Sequence, residues 1–252
     1  MQYLSTQRQM MSPMVRGYWA NLDQANDVGQ PVVFCLGGAP QEIFRAMDFA
    51  VFFGENFSAG CAVARVSQDL CQIAESQGYP IELCSYIRTH LGAMSTGKNP
   101  MGKVLPKPDM VAYVSSRCTS YPGWGKLIKE AFPNVPVLNI DIPMMRDDMT
   151  KEEYDDIVAY LVRQMKEMVS VIENWSGKRF DHDRLAEMVG NTGKGARSFV
   201  KLQNMLAHKP APISLIDVFF QLFPMVCLKG LLRCGPSRGE TTDSRRVLRR
   251  TQ

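Results

Sequence analysis

Short apolar runs alternate with helix-like patterns through the first half of the chain. Four runs rich in Val, Ile and Phe are typical of buried strands: residues 31–36, 50–53, 110–114 and 135–140. Apolar residues at helical spacing predict helices between them, over 41–47, 58–78 and 124–132. This alternation predicts an α/β fold, a Rossmann-like parallel sheet with flanking helices.

A helical region is predicted to follow the sheet. Thr150-Lys-Glu-Glu153 forms a capping box before a long helical pattern, and Asp181 caps a second one. Pro210-Ala-Pro212 is typical of a linker, after which a new apolar pattern opens. The predicted organisation is an α/β domain over 1–149, a helical region over 150–210, the start of an incomplete second α/β domain over 211–228, and a basic tail over 229–252.

The basic residues are concentrated at the end of the chain. The net charge is +4, but the last 26 residues alone hold seven Lys and Arg against two acidic residues. The remainder is close to neutral, so the charge does not indicate a nucleic-acid surface. Two interpretations of the tail stay open: a disordered segment, or a chain that is truncated or leaves its reading frame near Leu228.

Several features favour a cytoplasmic protein. The amino-terminal residues carry no secretory signal, and the most apolar segment, 213–228, is interrupted by Asp217, Gln221 and Pro224, so no membrane span is expected. Seven cysteines form an odd and scattered set, which is typical of reduced thiols rather than a disulfide framework.

Common catalytic motifs are weak or missing in the sequence. Residues 97–103 match a phosphate loop, but Val104 replaces the required Ser or Thr and Pro100 lies within it. The histidines, His90, His182 and His208, accompany no nucleophile motif, and no two cysteines have zinc-site spacing.

Cys84 and Cys118 are the cysteines placed where α/β sheets hold their sites. Cys84 begins a helical stretch, and Cys118 follows the strand over 110–114. Thiolates at helix starts and strand ends bind soft metals, although free cysteines are more commonly buried structural residues. Both interpretations stay open on spacing alone.

An ordered set of motifs resembles the benzoyl-CoA reductase/2-hydroxyacyl-CoA dehydratase family. The resemblance covers residues 15–228, and its motifs are Gly54-Glu-Asn-Phe-Ser-Ala-Gly-Cys61, Glu82-Leu-Cys84-Ser-Tyr-Ile-Arg88, Leu105-Pro-Lys-Pro-Asp109, Cys118, Val135-Pro-Val-Leu-Asn-Ile-Asp141 and Lys209-Pro-Ala-Pro212.

The resemblance implies an iron–sulfur subunit of a radical enzyme. A [4Fe-4S] cluster would be held by three cysteines, of which Cys84 and Cys118 match the first two, which makes 1–149 a cluster-binding domain. The third ligand lies in a later α/β domain that this chain does not contain. The implied partners are a homologous second subunit, an ATP-hydrolysing iron–sulfur activator and an acyl-CoA substrate, with no nucleic acid or membrane.

The implied reaction is syn elimination of water from a 2-hydroxyacyl-CoA, or reduction of an aromatic acyl-CoA. Glu55 matches a carboxylate near the thioester and is the catalytic candidate, though an acid stabilised by the following helix is an equal alternative. Phe57 stands where the family has His, so catalytic and electron-relay roles both remain open. Arg88 and Arg117 would bring positive charge to the site, unless they are solvated surface residues.

Three rival hypotheses accompany this interpretation. A non-catalytic scaffold subunit would bind a partner chain but no iron. An electron-relay subunit would hold a cluster that substrate never reaches. A nucleotide-binding enzyme built on residues 97–103 has the least support.

Overall fold

The computed structural model describes residues 3–231, with side chains from residue 12 onward. The predicted alternation of strand and helix is confirmed. The elements in chain order are α1 (Tyr3–Ala25), β1 (Val32–Leu36), α2 (Gln41–Ala46), β2 (Ala50–Phe53), α3 (Gly54–Val63), α4 (Ser67–Ser76), α5 (Ser85–Thr96), β3 (Met110–Val114), α6 (Ser120–Ala131), β4 (Val137–Ile140), α7 (Lys151–Ser176), α8 (His182–Asn204), a 3₁₀ turn (Met205–Ala207), α9 (Leu215–Phe220) and α10 (Leu222–Cys227).

The four strands form one parallel sheet in the order β2-β1-β3-β4, which confirms the predicted fold class. Every residue of β1 and β2 is buried, as their unbroken apolar sequences predict for parallel strands covered on both faces. The central strand β1 pairs with β2 on one side and with β3 on the other. The connection from β1 to β2 and the connection from β3 to β4 therefore run in opposite directions along the sheet. A crevice at the carboxyl ends of β1 and β3 follows from that order.

The helix predicted over 58–78 is two helices in the structure. α3 begins at Gly54, directly after β2, and α4 begins at Ser67. Arg65 between them has a φ of 61°, a left-handed conformation that ends the first helix. The amide of Val66 then donates to the carbonyl of Cys61 and closes the turn. A continuous apolar spacing concealed this break.

Helices occupy the region after the sheet, and both predicted caps are present. Thr150 and Glu153 form the reciprocal capping box at α7, and the Asp181 side chain accepts the Arg184 amide at α8. In the described part of the chain, no helix is long and apolar enough to cross a membrane.

The segment that follows the Pro210–Pro212 linker packs back onto the first helices. The Gln41 amide donates to the carbonyl of Val226, and the buried Arg45 guanidinium donates to that of Cys227. Both hydrogen bonds hold α10 against α2. The predicted domain limits stay predictions, and residues 232–252 of the basic tail lie outside the described residues.

His90 lies completely buried in an aromatic cluster formed by Phe34, Phe52, Phe57 and Trp124. Its Nδ1 accepts the indole N–H of Trp124 at 3.0 Å, so the neutral ring carries its proton on Nε2. That nitrogen has no partner among the described residues. Desolvation lowers the pKa of His90 to about 3, and the ring is therefore neutral in the folded protein.

α4 and α5 approach each other at Gly92. A Cβ atom at this position would lie 2.0 Å from the carbonyl oxygen of Leu70, closer than any real contact. The backbones of the two helices therefore touch only because residue 92 has no side chain.

We expect Gly92→Ala to lower the free energy of unfolding by about 1–3 kcal/mol, because the added methyl forces α4 from α5. Gly190→Ala is the matched control, since Gly190 lies in α8 with nothing within 4 Å of its Cβ position. That variant should gain about 0.5–1 kcal/mol from helix propensity. Urea unfolding measures both, and equal effects of the two substitutions would contradict the close approach.

The buried neutral His90 predicts a pH-dependent stability. The unfolded chain protonates this ring below a pH of about 6.5, whereas the folded chain does not until about pH 3. The contribution of His90 to the free energy of unfolding is therefore complete above pH 6.5. It decreases as the pH falls below that value, by up to about 1.4 kcal/mol per pH unit. Urea unfolding between pH 7 and 4.5 should show that the free energy of unfolding falls less steeply with pH in His90→Phe than in the parent. The exposed His182→Phe is the control, and parallel slopes in all three proteins would contradict the assignment.

Candidate functional site

Three loops meet the crevice at the carboxyl edge of the sheet. Gly37 and Gly38 follow β1, Glu55 lies in the first turn of α3 after β2, and Cys118 lies in the turn after β3. The parallel order therefore places two of the three predicted site residues, Glu55 and Cys118, at one edge.

Glu55 is held by two donors. Its Oε1 accepts the backbone N–H of Gly37 at 2.5 Å, and it also bonds the hydroxyl of Tyr121 from α6. Burial and the neighbouring carboxylate raise the pKa of Tyr121, so the phenol stays protonated and donates. The position in the first turn of α3 adds the favourable field of the helix. Glu55 is thus both the helix-terminal acid and a carboxylate oriented in the crevice.

Gly37 makes room for this arrangement. Its φ of 65° is left-handed, and a Cβ atom would lie 2.9 Å from the ring of Tyr121 and 3.1 Å from the carbonyl oxygen of Val114. Only glycine accepts both the backbone conformation and the ring against it. Gly38 follows, with the Arg117 guanidinium nitrogen Nε 3.9 Å from its Cβ position.

Cys118 is exposed, which makes the interpretation as a buried structural cysteine wrong for this residue. The backbone N–H and the hydroxyl of Ser120 at the start of α6 donate to its sulfur and lower the pKa of the thiol. The buried cysteines differ, since desolvation raises the pKa of Cys61 to about 12 and raises those of Cys35 and Cys227 further. The hydrogen bonds from Ser120 thus favour the thiolate form of Cys118, whereas burial favours the protonated form of Cys35, Cys61 and Cys227.

Cys84 is also exposed and immediately precedes α5. The Nε of Arg88 donates to the carbonyl of Leu83 at 2.9 Å, and its guanidinium forms an ion pair with Glu75 of α4. Arg88 is therefore neither a solvated arginine nor free for a cofactor, because it fixes the turn that leads into Cys84.

The Cys84 end of α5 lies on the same side of the molecule as Glu55. The Ser58 hydroxyl, in the second turn of α3, donates to the carbonyl of Tyr86 at 2.7 Å. Tyr86 is in the first turn of α5, and Glu55 is in the first turn of α3. One hydrogen bond thus connects the helix starts that carry Glu55 and Cys84.

Two contributors to the site were missed by sequence reasoning. Tyr121 and Cys71 carry no motif, and only the fold places them: Tyr121 on Glu55, and Cys71 with its sulfur 3.6 Å from the carbonyl oxygen of Ser85, the residue after Cys84. No local pattern could have revealed either contact, since each joins two different helices that meet only in the folded chain.

A complete metal site is not assembled within the described residues. No group of three or more His, Cys, Asp and Glu side chains in this part of the chain could hold a metal ion. Cys84 and Cys118 supply two exposed thiols, and Cys234 lies outside the described residues. A metal centre that used these two thiols would need a further ligand from outside the described residues.

Most backbone amides in and just after the phosphate-loop match at 97–103 already have partners within the protein. Asp23 of α1 accepts the amides of Lys103 and Val104 at 2.7 and 3.1 Å through one carboxylate oxygen. Asn99 accepts the amide of Met101. Donors that a phosphate would need are occupied by the protein, which argues against a nucleotide site here.

The relatives found by comparison with known proteins agree with one another in the kind of protein they are. The chain is 28% identical over 246 residues, 96% of its length and 56% of the relative's, to an (R)-2-hydroxyisocaproyl-CoA dehydratase alpha subunit of Clostridioides difficile. It is 26% identical to an (R)-phenyllactyl-CoA dehydratase alpha subunit of Clostridium sporogenes, over 82% of this chain and 50% of that protein. It is 27% identical to one of the subunits of benzoyl-CoA reductase from Thauera aromatica, over 82% of this chain and 47% of that protein.

The chain thus spans about half the length of the curated relatives it matches. The sequence model of the family described as 2-hydroxyglutaryl-CoA dehydratase, D-component, matches residues 37–236, which include the crevice loops, both exposed cysteines and the helical region. The chain therefore belongs to the 2-hydroxyglutaryl-CoA dehydratase D-component family, whose relatives here include 2-hydroxyacyl-CoA dehydratase and benzoyl-CoA reductase subunits.

Proposed function

We propose that this chain is the iron–sulfur subunit of a radical 2-hydroxyacyl-CoA dehydratase or benzoyl-CoA reductase, acting in the cytoplasm. The observation that carries the proposal is the exposure of Cys84 and Cys118 at the starts of α5 and α6, beside the crevice that holds Glu55. Family membership supports the reaction class, and the exposure of both thiols supports the choice of residues.

The two thiols fit a [4Fe-4S] cluster as part of its ligand set. Cluster iron binds thiolates, and Ser120 lowers the pKa of Cys118 toward that form. The third protein ligand would come from outside the described residues, and an iron without a protein ligand would be open to substrate. When bound, the cluster would supply single-electron reduction of an acyl-CoA thioester.

Glu55 is the proposed proton-transfer group. The Gly37 amide and the Tyr121 hydroxyl orient its carboxylate at the carboxyl edge, and its remaining lone pairs are available to a substrate proton. Arg117, exposed beside Gly38, places a positive charge at the same edge and suits an anionic acyl-CoA.

The proposed partners follow the family. The relatives are named as individual subunits of dehydratases and of a reductase, which supports a homologous second subunit in complex with this chain. An ATP-hydrolysing iron–sulfur activator delivers the electron in this proposal. The substrate is an acyl-CoA, and both elimination of water and ring reduction remain within the proposed class.

A non-catalytic scaffold is the second candidate, favoured by the absence of a three-residue ligand group among the described residues. The presence of Phe57 does not distinguish an electron-relay subunit from a catalytic one. The Phe57 side chain is completely buried against Trp19 and Phe52, so it packs in the core rather than lining the crevice. The exchange of His for Phe therefore alters a core contact, and the catalytic and electron-relay roles both remain candidates.

The proposal predicts cluster binding that depends on both exposed thiols. Protein produced and reconstituted without oxygen should contain iron and acid-labile sulfide, with broad visible absorption, and Cys84→Ser/Cys118→Ser should lose them. The matched control is Cys35→Ser/Cys61→Ser, which removes two buried thiols. Absence of a cluster from the parent, while a homologous subunit is still captured, would favour the scaffold.

Cys118 should react with iodoacetamide as a low-pKa thiol in cluster-free protein. The rate rises with pH as thiolate forms, so we expect its midpoint below a free-thiol pKa of about 8.5. Ser120→Ala removes one donor and should move the midpoint to higher pH, measured by peptide mass spectrometry. Thr119→Ala, a neighbouring exposed position, is the control. A midpoint unaffected by Ser120→Ala would contradict the assigned hydrogen bonds.

A further inference from the structure

Trp124 joins the two helices that carry the exposed cysteines. It lies in α6, is 2% exposed, and donates its indole N–H to Nδ1 of His90 in α5 at 3.0 Å. The two rings meet edge to face, with centroids 5.6 Å apart. This is a direct polar bond between α5 and α6 in an otherwise apolar cluster.

Each member of this pair stands six residues after an exposed cysteine. Cys84 precedes His90 by six positions, and Cys118 precedes Trp124 by six. His90 lies in the second turn of α5 and Trp124 in the second turn of α6, while each cysteine immediately precedes or lies two residues before the start of its helix. A displacement of the His90–Trp124 pair would therefore move both thiols relative to each other.

The same indole contacts the elements that hold Glu55. Its ring stacks on Tyr121 at 6.3 Å between centroids and 10° between planes, and Tyr121 bonds Glu55. On another side, a Cβ atom at Gly54 would lie 2.8 Å from Cζ2 of Trp124, so the start of α3 rests directly on the indole.

We propose that Trp124 is a positioning residue that fixes Cys84, Cys118 and Glu55 relative to one another. The assignment of the two cysteines as cluster ligands rests on the proposed function, whereas the mechanical link does not. Separating the pair would leave a buried N–H and a buried imidazole nitrogen without partners, which penalises every other arrangement of α5 and α6.

Spin labels on Cys84 and Cys118 measure this link without any cluster. The cluster-free chain, in a Cys71→Ser/Cys234→Ser background, is labelled at both exposed thiols, and electron spin resonance reports the distance distribution between the labels. The test variant is Trp124→Phe, which keeps a ring and removes the N–H. A second variant, His90→Phe, removes the acceptor instead.

Trp19→Phe is the matched control. Trp19 is 4% exposed in the same core and contacts Tyr18, Phe52 and Phe57, but it forms no hydrogen bond to α5 or α6 in the described contacts. It therefore reports the general cost of a smaller ring in this core.

We expect a narrow distribution of distances between the two spin labels in the parent and in Trp19→Phe. Trp124→Phe and His90→Phe should each broaden it, and the double variant should broaden it no further than either single variant, because all three lack the same bond. Unchanged widths in both single variants, or equal broadening in Trp19→Phe, would overturn the proposal. Circular dichroism identifies a variant that fails to fold, and the other variant then decides.

Cluster reconstitution adds a separate measurement. If the parent binds a cluster, Trp124→Phe should shift its electron spin resonance signature and lower its iron content, whereas Trp19→Phe should leave both unchanged. A parent that binds no cluster contradicts the proposed function, but the spin-label distances still test the positioning role of Trp124.

Discussion

The pairing of β1 with β3 is the constraint on which the site depends. Parallel strands need crossover connections, and connections that leave two adjacent strands in opposite directions open a crevice between them. Here that crevice receives the Gly37 amide, the Glu55 carboxylate and the Cys118 turn from three separate strand ends. A sheet in which β1 did not lie between β2 and β3 would deliver these groups to different places along its edge.

Close packing turns this shared edge into a defined geometry. Gly37 admits the Tyr121 ring, Gly54 admits Trp124, and Gly92 admits the backbone of α4. At each point a missing side chain lets a larger group approach to contact distance, and the larger group fixes an element of the site. The glycines and aromatic residues therefore act as pairs, in which neither member has the same effect alone.

Much of the fold could be predicted from local sequence, and less of the site. The strand Ala50–Phe53 and the caps at Thr150 and Asp181 match their predictions because they depend on neighbouring residues. The break at Arg65 was missed because one left-handed residue leaves the apolar spacing intact. The role of Arg88 was not predicted, since its ion-pair partner Glu75 becomes a neighbour only when α4 and α5 pack. Glu55 was found through the family motif, but its donor Tyr121 had no signal in the sequence.

The cysteines show how one fold gives chemically identical side chains different environments. Burial raises the pKa of Cys35, Cys61 and Cys227, because an apolar interior disfavours a charged sulfur, and these thiols remain protonated packing groups. Cys118 is exposed where a helix begins, and the donors of Ser120 stabilise its thiolate instead. The distinction between buried packing cysteines and exposed cysteines that a metal could reach is decided by position relative to helix starts and solvent rather than by spacing. The number of cysteines, seven, does not show which of them are buried and which are exposed. For Cys118 the sheet order decides this, because it exposes the turn after β3.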